Sequence, residues 1–486
     1  MRRIKERNVR HLKEFSTGST SVRLPPRRDI ALTSRITAII DHPVFQRLRR
    51  VKQLGPISLI YPGATHTRFE HSIGVYGVAL EYLRALLRDP LADSLTDADI
   101  QACLLAALLH DVGHYPYAHN LEASHVGDVH MPRHEELAAD LIYGRLPIGQ
   151  GEPAIASLIE QNFDVSADDV VGLIATPASS HRRAERRLVA SVLSSGIDAD
   201  KSDYLERDAY HMGLPFGEQF DRQRMLSTLV VHPHEDRIAL TMSGRMAAET
   251  FVFARYAMFS EGYWHHTARA VAAMVEEALR DVRRQAQWEQ ERLVHDIIQQ
   301  DDEQFLESMR QQARPGGAAD VLLSALTGGQ RRMYKRILTL TLAYSDPSLR
   351  TAYDRIYVLE RRELDLLRRE LCAVIEAIIG RSLQPWELLI DTPPRDKDHV
   401  EPIDVVRDGV IQPLAQRSQI MRGIASDFVK VVKKIRVFVA PEVRTAIDAQ
   451  VPRRMLERRL VEAILDFRVP RTPQQQLFDR IEALPE

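Results

Sequence analysis

Apolar residues recur along most of this chain at helical rather than strand spacing. In residues 73–88, Ile73, Val75, Val78, Leu80, Leu83, Leu86 and Leu87 make one broad apolar face. Residues 99–111 (DIQACLLAALLHD) are apolar nearly all round, the pattern of a buried helix at the centre of a fold. Thr96 is its expected cap, with Asp97 and Asp99 in the first turn. Further helices are predicted at 134–144, 153–162, 186–194, 198–210, 245–285 with an interruption, and 354–380. The period changes in three places. Residues 228–242 form two aliphatic runs around His-Pro-His-Glu-Asp and predict a hairpin. Residues 403–411 hold an Asp-Gly turn between short apolar runs, and 434–439 alternate as a strand does. The polar, proline-bearing stretch 391–402 predicts a linker. The fold class expected is mainly α: a helical core with a small β-hairpin, then a C-terminal mixed α+β module. The corresponding divisions are an N-terminal arm (1–35), the core (36–290), a helical extension (291–390) and the C-terminal module (391–486).

Composition narrows the function classes. The 486 residues are 44% apolar, enough for a large core and against disorder as the main state. The longest uninterrupted apolar run, Ala102–Leu109, is far short of the ~18 residues that span a bilayer. The N-terminus lacks the apolar segment of a secretory signal, and early glutamates weaken a transit-peptide reading. Cys103 and Cys372 cannot build a disulfide framework or a cysteine-based metal site. A soluble, cytoplasmic protein without membrane contact is expected. With 65 Lys and Arg against 67 Asp and Glu, bulk electrostatic binding to nucleic acid is excluded. Locally, Arg2, Arg3, Lys5, Arg7, Arg10, Lys13, Arg23, Arg27 and Arg28 face only Glu6 and Glu14. That arm is either a solvated segment or one that makes weak phosphate or nucleic-acid contacts. A second basic cluster, Arg182, Arg183, Arg186 and Arg187, encloses Glu185 and reads more simply as a solvated loop.

The chemistry concentrates in four pieces: His71 in TRFEHSIGV, His110-Asp111 in LLHDVGHYPYAH, His134 in MPRHEE, and Asp200 in SGIDADKSDYLERDAYHMGL. Imidazole and carboxylate together suit a hexacoordinate divalent ion (Mn, Mg, Fe, Ni or Co) better than a closed tetrahedral zinc site. His110 and Asp111 terminate the most apolar helix, where a buried charge is costly unless paired or metal-bound. Gly113 and Pro116 then break the helix, so that adjacent ligands can face one cavity.

The pattern H…HD…D resembles that of the HD-domain phosphohydrolases. The flanking words FQRLRRVKQLGPISLIYPGATHTRFEHSIGV, HDVGHYPYAH and GIDADKSDYLERDAYHMGL resemble the dNTP triphosphohydrolase branch, including its sterile-alpha-motif-containing members. No stretch of this chain resembles the sterile-alpha-motif domain itself. The similarity runs from about Asp41 to Val282 and continues more weakly through SQIMRGI and KIRVFVAPE. It implies an all-helical HD core. It also implies hydrolysis of a deoxynucleotide at the α-phosphorus to nucleoside and triphosphate, by water activated on a divalent metal held by His71, His110, Asp111 and Asp200. His119 would donate the proton to the leaving oxygen, His114 would support phosphate charge, and His134 would lie nearby. Arg68, Lys201 and Arg255 match phosphate-binding positions. Gln53, Tyr204 and Asp208 match sugar contacts, Leu54 packs on the nucleoside, and Tyr263 stacks on base or sugar. A tyrosine beneath C2′ would exclude ribonucleotides. Phe259 stands where the mammalian enzyme has histidine, so one polar phosphate contact is not expected.

Family members are homo-oligomers, dimeric or tetrameric, and some bind an activating nucleotide between subunits. Asp41, Gln46 and Arg49 match guanine-reading positions of that site, and Arg27 and Arg28 are candidates to supply phosphate charge to it. The family's Lys-x-x-x-Asp-Pro-x-His-Gly element is replaced here by SVRLPPRRDIALTS, so only half the site is recognisable. Two other function classes stand beside this reading: an HD phosphohydrolase of a nucleoside monophosphate, cyclic nucleotide or alarmone, and a nucleic-acid-binding or nuclease HD protein.

Overall fold

The apolar helix spans Asp97–Leu109, and every residue from Asp99 to Leu109 is buried. In the computed structural model the described residues are 12–15, 20–26, 28–117, 132–149, 151–285, 290–344, 346–393 and 401–469. Thr96 caps this helix as expected. Its hydroxyl accepts the Asp99 N–H at 3.2 Å while the Asp99 carboxylate accepts the Thr96 N–H at 3.1 Å, a reciprocal box that satisfies two otherwise orphaned donors. The helix packs against the helices Arg68–Leu86, Ala167–Ala175 and Ala184–Leu193. Leu104, Leu105, Leu108 and Leu109 are each at most 1% exposed. Each such burial contributes about 1.5–3 kcal/mol, which anchors the helix end that carries His110 and Asp111.

The protein is mainly α. The predicted helices form at Arg68–Leu86, His134–Ile142, Ile155–Asn162, Ala184–Leu193 and Ala199–Met212. The last begins at Asp198, whose carboxylate accepts the Lys201 N–H at 2.7 Å, and ends at Gly213 in the left-handed region at φ 68°. The expected interruption within 245–285 is a π-helical turn, Met258–Tyr263, between Arg245–Ala257 and His266–Gln285. The segment predicted as one helix at 354–380 divides instead into Pro347–Tyr357 and Arg361–Ile379, because Glu360 and Glu363 form a capping box that starts a new helix. No helix among the described residues is long and apolar enough to cross a membrane.

Among the described residues, three small sheets accompany the helices. An N-terminal antiparallel hairpin joins β1 (Thr20–Leu24) to β2 (Arg28–Leu32). The hairpin expected at 228–242 forms as β3 (Leu229–Val231) and β4 (Ile238–Thr241). β5 (Lys335–Leu340) and β6 (Leu388–Asp391) follow. The hairpin expected at 403–411 forms as β7 (Asp404–Arg407) and β8 (Val410–Pro413), turning through Asp408 and Gly409 at φ 51° and 77°. The strand expected at 434–439 is β9 (Ile435–Val439). Their pairing was not legible in the pattern. β4 and β7 run parallel and join the two hairpins into one sheet, β3-β4-β7-β8. β9 lies between β5 and β6, antiparallel to both. Strands from both sides of the predicted boundaries at 290 and 390 therefore share sheets. Of the predicted linker 391–402, Asp391 is in β6, and 394–400 lie outside the described residues.

Candidate metal centre

Three helix ends meet beside the core. His71 is in the first turn of the Arg68–Leu86 helix, His110 and Asp111 close the apolar helix, and Asp200 opens the Ala199–Met212 helix. His71 Nε2 lies 3.0 Å from Asp200 Oδ1 and 3.8 Å from Asp111 Oδ2. His110 Nε2 lies 3.4 Å from Asp111 Oδ1 and 3.7 Å from Asp200 Oδ1. Ligand atoms of His71, His110 and Asp111 thus lie within 4.8 Å of one another, and Asp200 Oδ1 adjoins both imidazoles.

Whether they fit a cation is decided by what holds their other atoms. His71 Nδ1 is 2.9 Å from Asp203 Oδ2, and His110 Nδ1 is 2.9 Å from the Ala107 carbonyl oxygen. Each contact places a ring proton on Nδ1 and turns Nε2 toward the cluster, as outer partners of metal-bound histidines do. His110 Nε2 is buried and has no hydrogen-bond partner among the described residues. The donor set therefore fits a divalent cation. Burial opposes charge on the His71 ring, but Asp200, Asp203 and Asp111 override it and push its pKa up to about 10. Burial likewise opposes charge on Asp111, and Arg68, His110 and His114 hold it well below the usual carboxylate range.

A second wall adjoins Asp111. Arg68 donates to Asp111 Oδ2 at 2.7 Å, and His114 Nε2 lies 3.2 Å from Oδ1. The His114 and His134 rings stack at 3.8 Å. Burial, together with Arg68 and His134, holds His114 well below the usual histidine range, so it is neutral near pH 7. His119 lies outside the described residues. Arg47, which the sequence reading missed, is buried and donates to the carbonyls of Val112 and His114 at 2.6 and 2.7 Å, pinning the chain just after the His-Asp pair.

Beyond the ligands, Asp208 Oδ2 accepts the Tyr263 hydroxyl at 2.6 Å, and Asp208 Oδ1 is 2.7 Å from His66 Nε2. Tyr204 meets Tyr263 edge to face at 6.4 Å. The Gln53 N–H donates to the His66 carbonyl at 3.0 Å, while its buried side-chain oxygen has no partner among the described residues. Leu54 is partly buried and packs against the core. The π-helical turn carries Tyr263 to Asp208, and such turns recur at functional sites. Arg255 lies 5.7 Å from the Phe259 ring, and Phe259 packs with Trp264 and Phe428 rather than offering a polar group. Lys201 Nζ pairs with Asp198 at 2.6 Å and Glu401 at 3.3 Å. His66 and Asp203 were also missed. Their signals were a second histidine five residues before His71 and a third aspartate three after Asp200.

Asp41 caps the helix Ser34–Ile40, Gln46 ends the short helix Pro43–Gln46, and Arg49 lies in the turn Arg47–Arg50 that follows. The Gln46 amide donates to the Ile40 carbonyl at 2.7 Å, Arg49 donates to Gln46 Oε1 at 2.7 Å, and the Arg49 guanidinium sits 3.6 Å over the Phe69 ring. The expectation that Arg28 supplies phosphate charge there is corrected. Its side chain is 9% exposed and is taken by Asp203 and Glu206. Arg27 lies outside the described residues. Arg23 pairs with Asp29 at 2.8 Å. In the second basic cluster Arg183 and Arg186 pair with Asp99, Arg186 also with Asp169, and Arg187 with Asp236. Little unpaired positive charge is left there for a nucleic-acid backbone.

The model of the HD domain matches residues 68–208, which carry the four ligand candidates, and that of the HD associated region matches 220–460. The chain is an HD-domain protein. It is 36% identical over 237 residues to the uncharacterized protein YwfO of Bacillus subtilis, covering 48% of this chain and 49% of that one. It is 31% identical over 218 residues to the deoxynucleoside triphosphate triphosphohydrolase SAMHD1 of Gallus gallus, covering 42% of this chain and 35% of that one. The chain spans about half the length of the curated relatives it matches first. A crystal structure of a phosphohydrolase from Bacteroides thetaiotaomicron shares the fold, with a TM-score of 0.64 at 23% identity over 86% of this HD-domain chain and 99% of that one.

Proposed function

We propose that this HD-domain protein hydrolyses deoxynucleoside triphosphates to deoxynucleoside and triphosphate. The observation that carries the reading is the set Gln53, Tyr204, Asp208 and Tyr263 beside the ligand cluster, with two acceptors and two phenol rings suited to a deoxyribose. An HD centre for a generic phosphate ester has no need of them. Relatives named as deoxynucleoside triphosphate triphosphohydrolases support it. His71, His110, Asp111 and Asp200 hold the cation, which when bound lowers the pKa of a water molecule and offsets phosphoryl charge. Manganese or magnesium suits that donor set, as do iron, nickel and cobalt.

The chain's own groups do the rest. Arg68 faces the phosphates from beside Asp111, with Lys201 and Arg255 contributing charge farther along the triphosphate. Neutral His114 donates a hydrogen bond without adding a cation beside Arg68. His119 protonates the departing 5′-oxygen, and the stacked His134 supports that proton's transfer. Asp208 and Gln53 bind the 3′-hydroxyl, Leu54 packs on the nucleoside, and Tyr204 and Tyr263 close the space under C2′, where a ribose hydroxyl would clash. Incubation of the purified protein with Mn²⁺ or Mg²⁺ and each of the four dNTPs, followed by identification of the released phosphate species, tests the reading. Triphosphate and deoxynucleoside are expected. Release of only pyrophosphate or orthophosphate would exclude cleavage between the α-phosphorus and the 5′-oxygen.

A further inference from the structure

The N-terminal hairpin carries Arg23 and Arg28 of the basic arm, yet it is built into the molecule. Leu24, Ile30 and Leu32 are buried. Ile30 occupies the space that Gly77 leaves on the Arg68–Leu86 helix, where a Cβ would come within 2.8 Å of Ile30 Cδ1. The Pro25 carbonyl accepts from Arg207 Nη1 at 2.6 Å. The hairpin therefore presents Arg28 from a fixed position.

Arg28 reaches a carboxylate that touches a ligand candidate. Asp203 is 1% exposed, and its Oδ2 meets His71 Nδ1 at 2.9 Å and Arg207 Nε at 2.8 Å. Its Oδ1 accepts from Arg207 Nη2 at 2.8 Å and from Arg28 Nη1 at 3.1 Å. All four acceptor positions of that carboxylate are thus filled, by donors from three directions. The other Arg28 nitrogen pairs with Glu206, which Arg222 also contacts at 2.7 Å. Gly74 makes the arrangement sterically feasible, since a Cβ there would lie 2.2 Å from both Arg207 Nη2 and Asp203 Oδ1.

We propose that Arg28 is a positioning residue of the metal centre: by holding Asp203 from the side opposite His71, it fixes the imidazole in the tautomer and orientation that ligate the cation. Without Arg28, Asp203 Oδ1 keeps a single donor and the carboxylate can rock about Arg207. Its grip on the His71 ring then loosens. The hairpin is on this account part of the outer surroundings of the centre, and Arg28 serves the metal rather than a nucleic acid. The inference rests on the metal centre of the proposed function and not on its substrate, so a chain that binds Mn²⁺ but turns over no dNTP leaves it intact.

The test is Mn²⁺ titration of the full chain, stripped of metal with a chelator and followed by calorimetry, with the melting temperature of the stripped protein as a fold check. Loss of one positive charge would by itself tighten cation binding, so the deciding variant is the charge-balanced pair Arg28→Met with Glu206→Gln. About tenfold weaker Mn²⁺ binding is expected for it, within the range for lost outer partners of a ligating histidine. Arg23→Ala, which alters the same hairpin at an exposed pair, should bind as the native chain does. Native or tighter binding by the double variant overturns the proposal, the latter showing Arg28 to be only a repelling charge. If the double variant does not fold, Arg28→Lys decides. It keeps the charge but not the fork that bridges Asp203 and Glu206, and it should bind Mn²⁺ several-fold more weakly. Native affinity in that variant overturns the proposal.

Discussion

The candidate metal side and the proposed sugar side of this site are built on opposite principles. On the metal side charges are buried in contact with one another: Asp111 sits against Arg68 and His114, His71 against Asp200 and Asp203, and Asp203 against Arg28 and Arg207. On the sugar side one carboxylate, Asp208, is held by a phenol and an imidazole, and the Gln53 oxygen has no partner among the described residues. The difference is energetic. A buried charge network tolerates no missing member, because each loss strands an uncompensated charge. A pocket with one carboxylate among neutral groups can lose one of the neutral members and remain folded, at the cost of selectivity. The first kind of wall suits holding a cation in place, and the second suits distinguishing between similar ligands.

Asp111→Ala should break the metal side outright. It strands Arg68 in a buried site, so about 3–5 kcal/mol of stability is expected to go with the metal and the activity. Denaturant melts with metal analysis of the surviving folded protein check this, and a stable, metal-replete variant would show the two sides to be alike. Gly74→Ala attacks the same network without touching a ligand. Its Cβ must displace the Asp203–Arg207 pair, at about 1–3 kcal/mol. The same melts and a Mn²⁺ titration should show lower stability and weaker binding together.

On the other side, Tyr263→Phe removes one hydrogen bond to a charged group and leaves the metal ligands alone. About a tenfold fall in kcat/KM for a deoxynucleotide is expected, with unchanged metal content. Loss of metal from that variant would erase the distinction between the two walls. The smallest effect is expected at the far end of the apolar helix. Thr96→Ala undoes the capping box and should cost about 1 kcal/mol, with kcat/KM and metal affinity as in the native chain. A shift in metal affinity there would mean that the helix transmits strain along its length to His110.

Local pattern accounts for a good part of this. The apolar helix expected at 99–111, its Thr96 cap, the two hairpins and the presence of an interruption within 245–285 were legible, because each depends on residues within one or two turns. The split at Val358–Glu360 was not, since apolar periodicity continues across it and only the Glu360–Glu363 box marks the new start.

By itself the sequence singled out the candidates for the chemistry. His110 and Asp111 are conspicuous because they end an apolar helix, and His71 and Asp200 stand out through the combined H…HD…D pattern. Only the tertiary structure decided what those residues lean on. Asp203 is an ordinary helical aspartate in sequence, and it becomes an outer partner of His71 only when two helices cross at Gly74. Arg28 reads as one more charge on a basic arm until the hairpin docks and buries it against Asp203 and Glu206. The parallel pairing of β4 with β7 likewise joins residues more than 160 positions apart. Local spacing encodes contacts made within a turn or a hairpin. The partners of a buried charge are chosen by which distant surfaces burial brings together, and that choice is made by the packing of the whole chain.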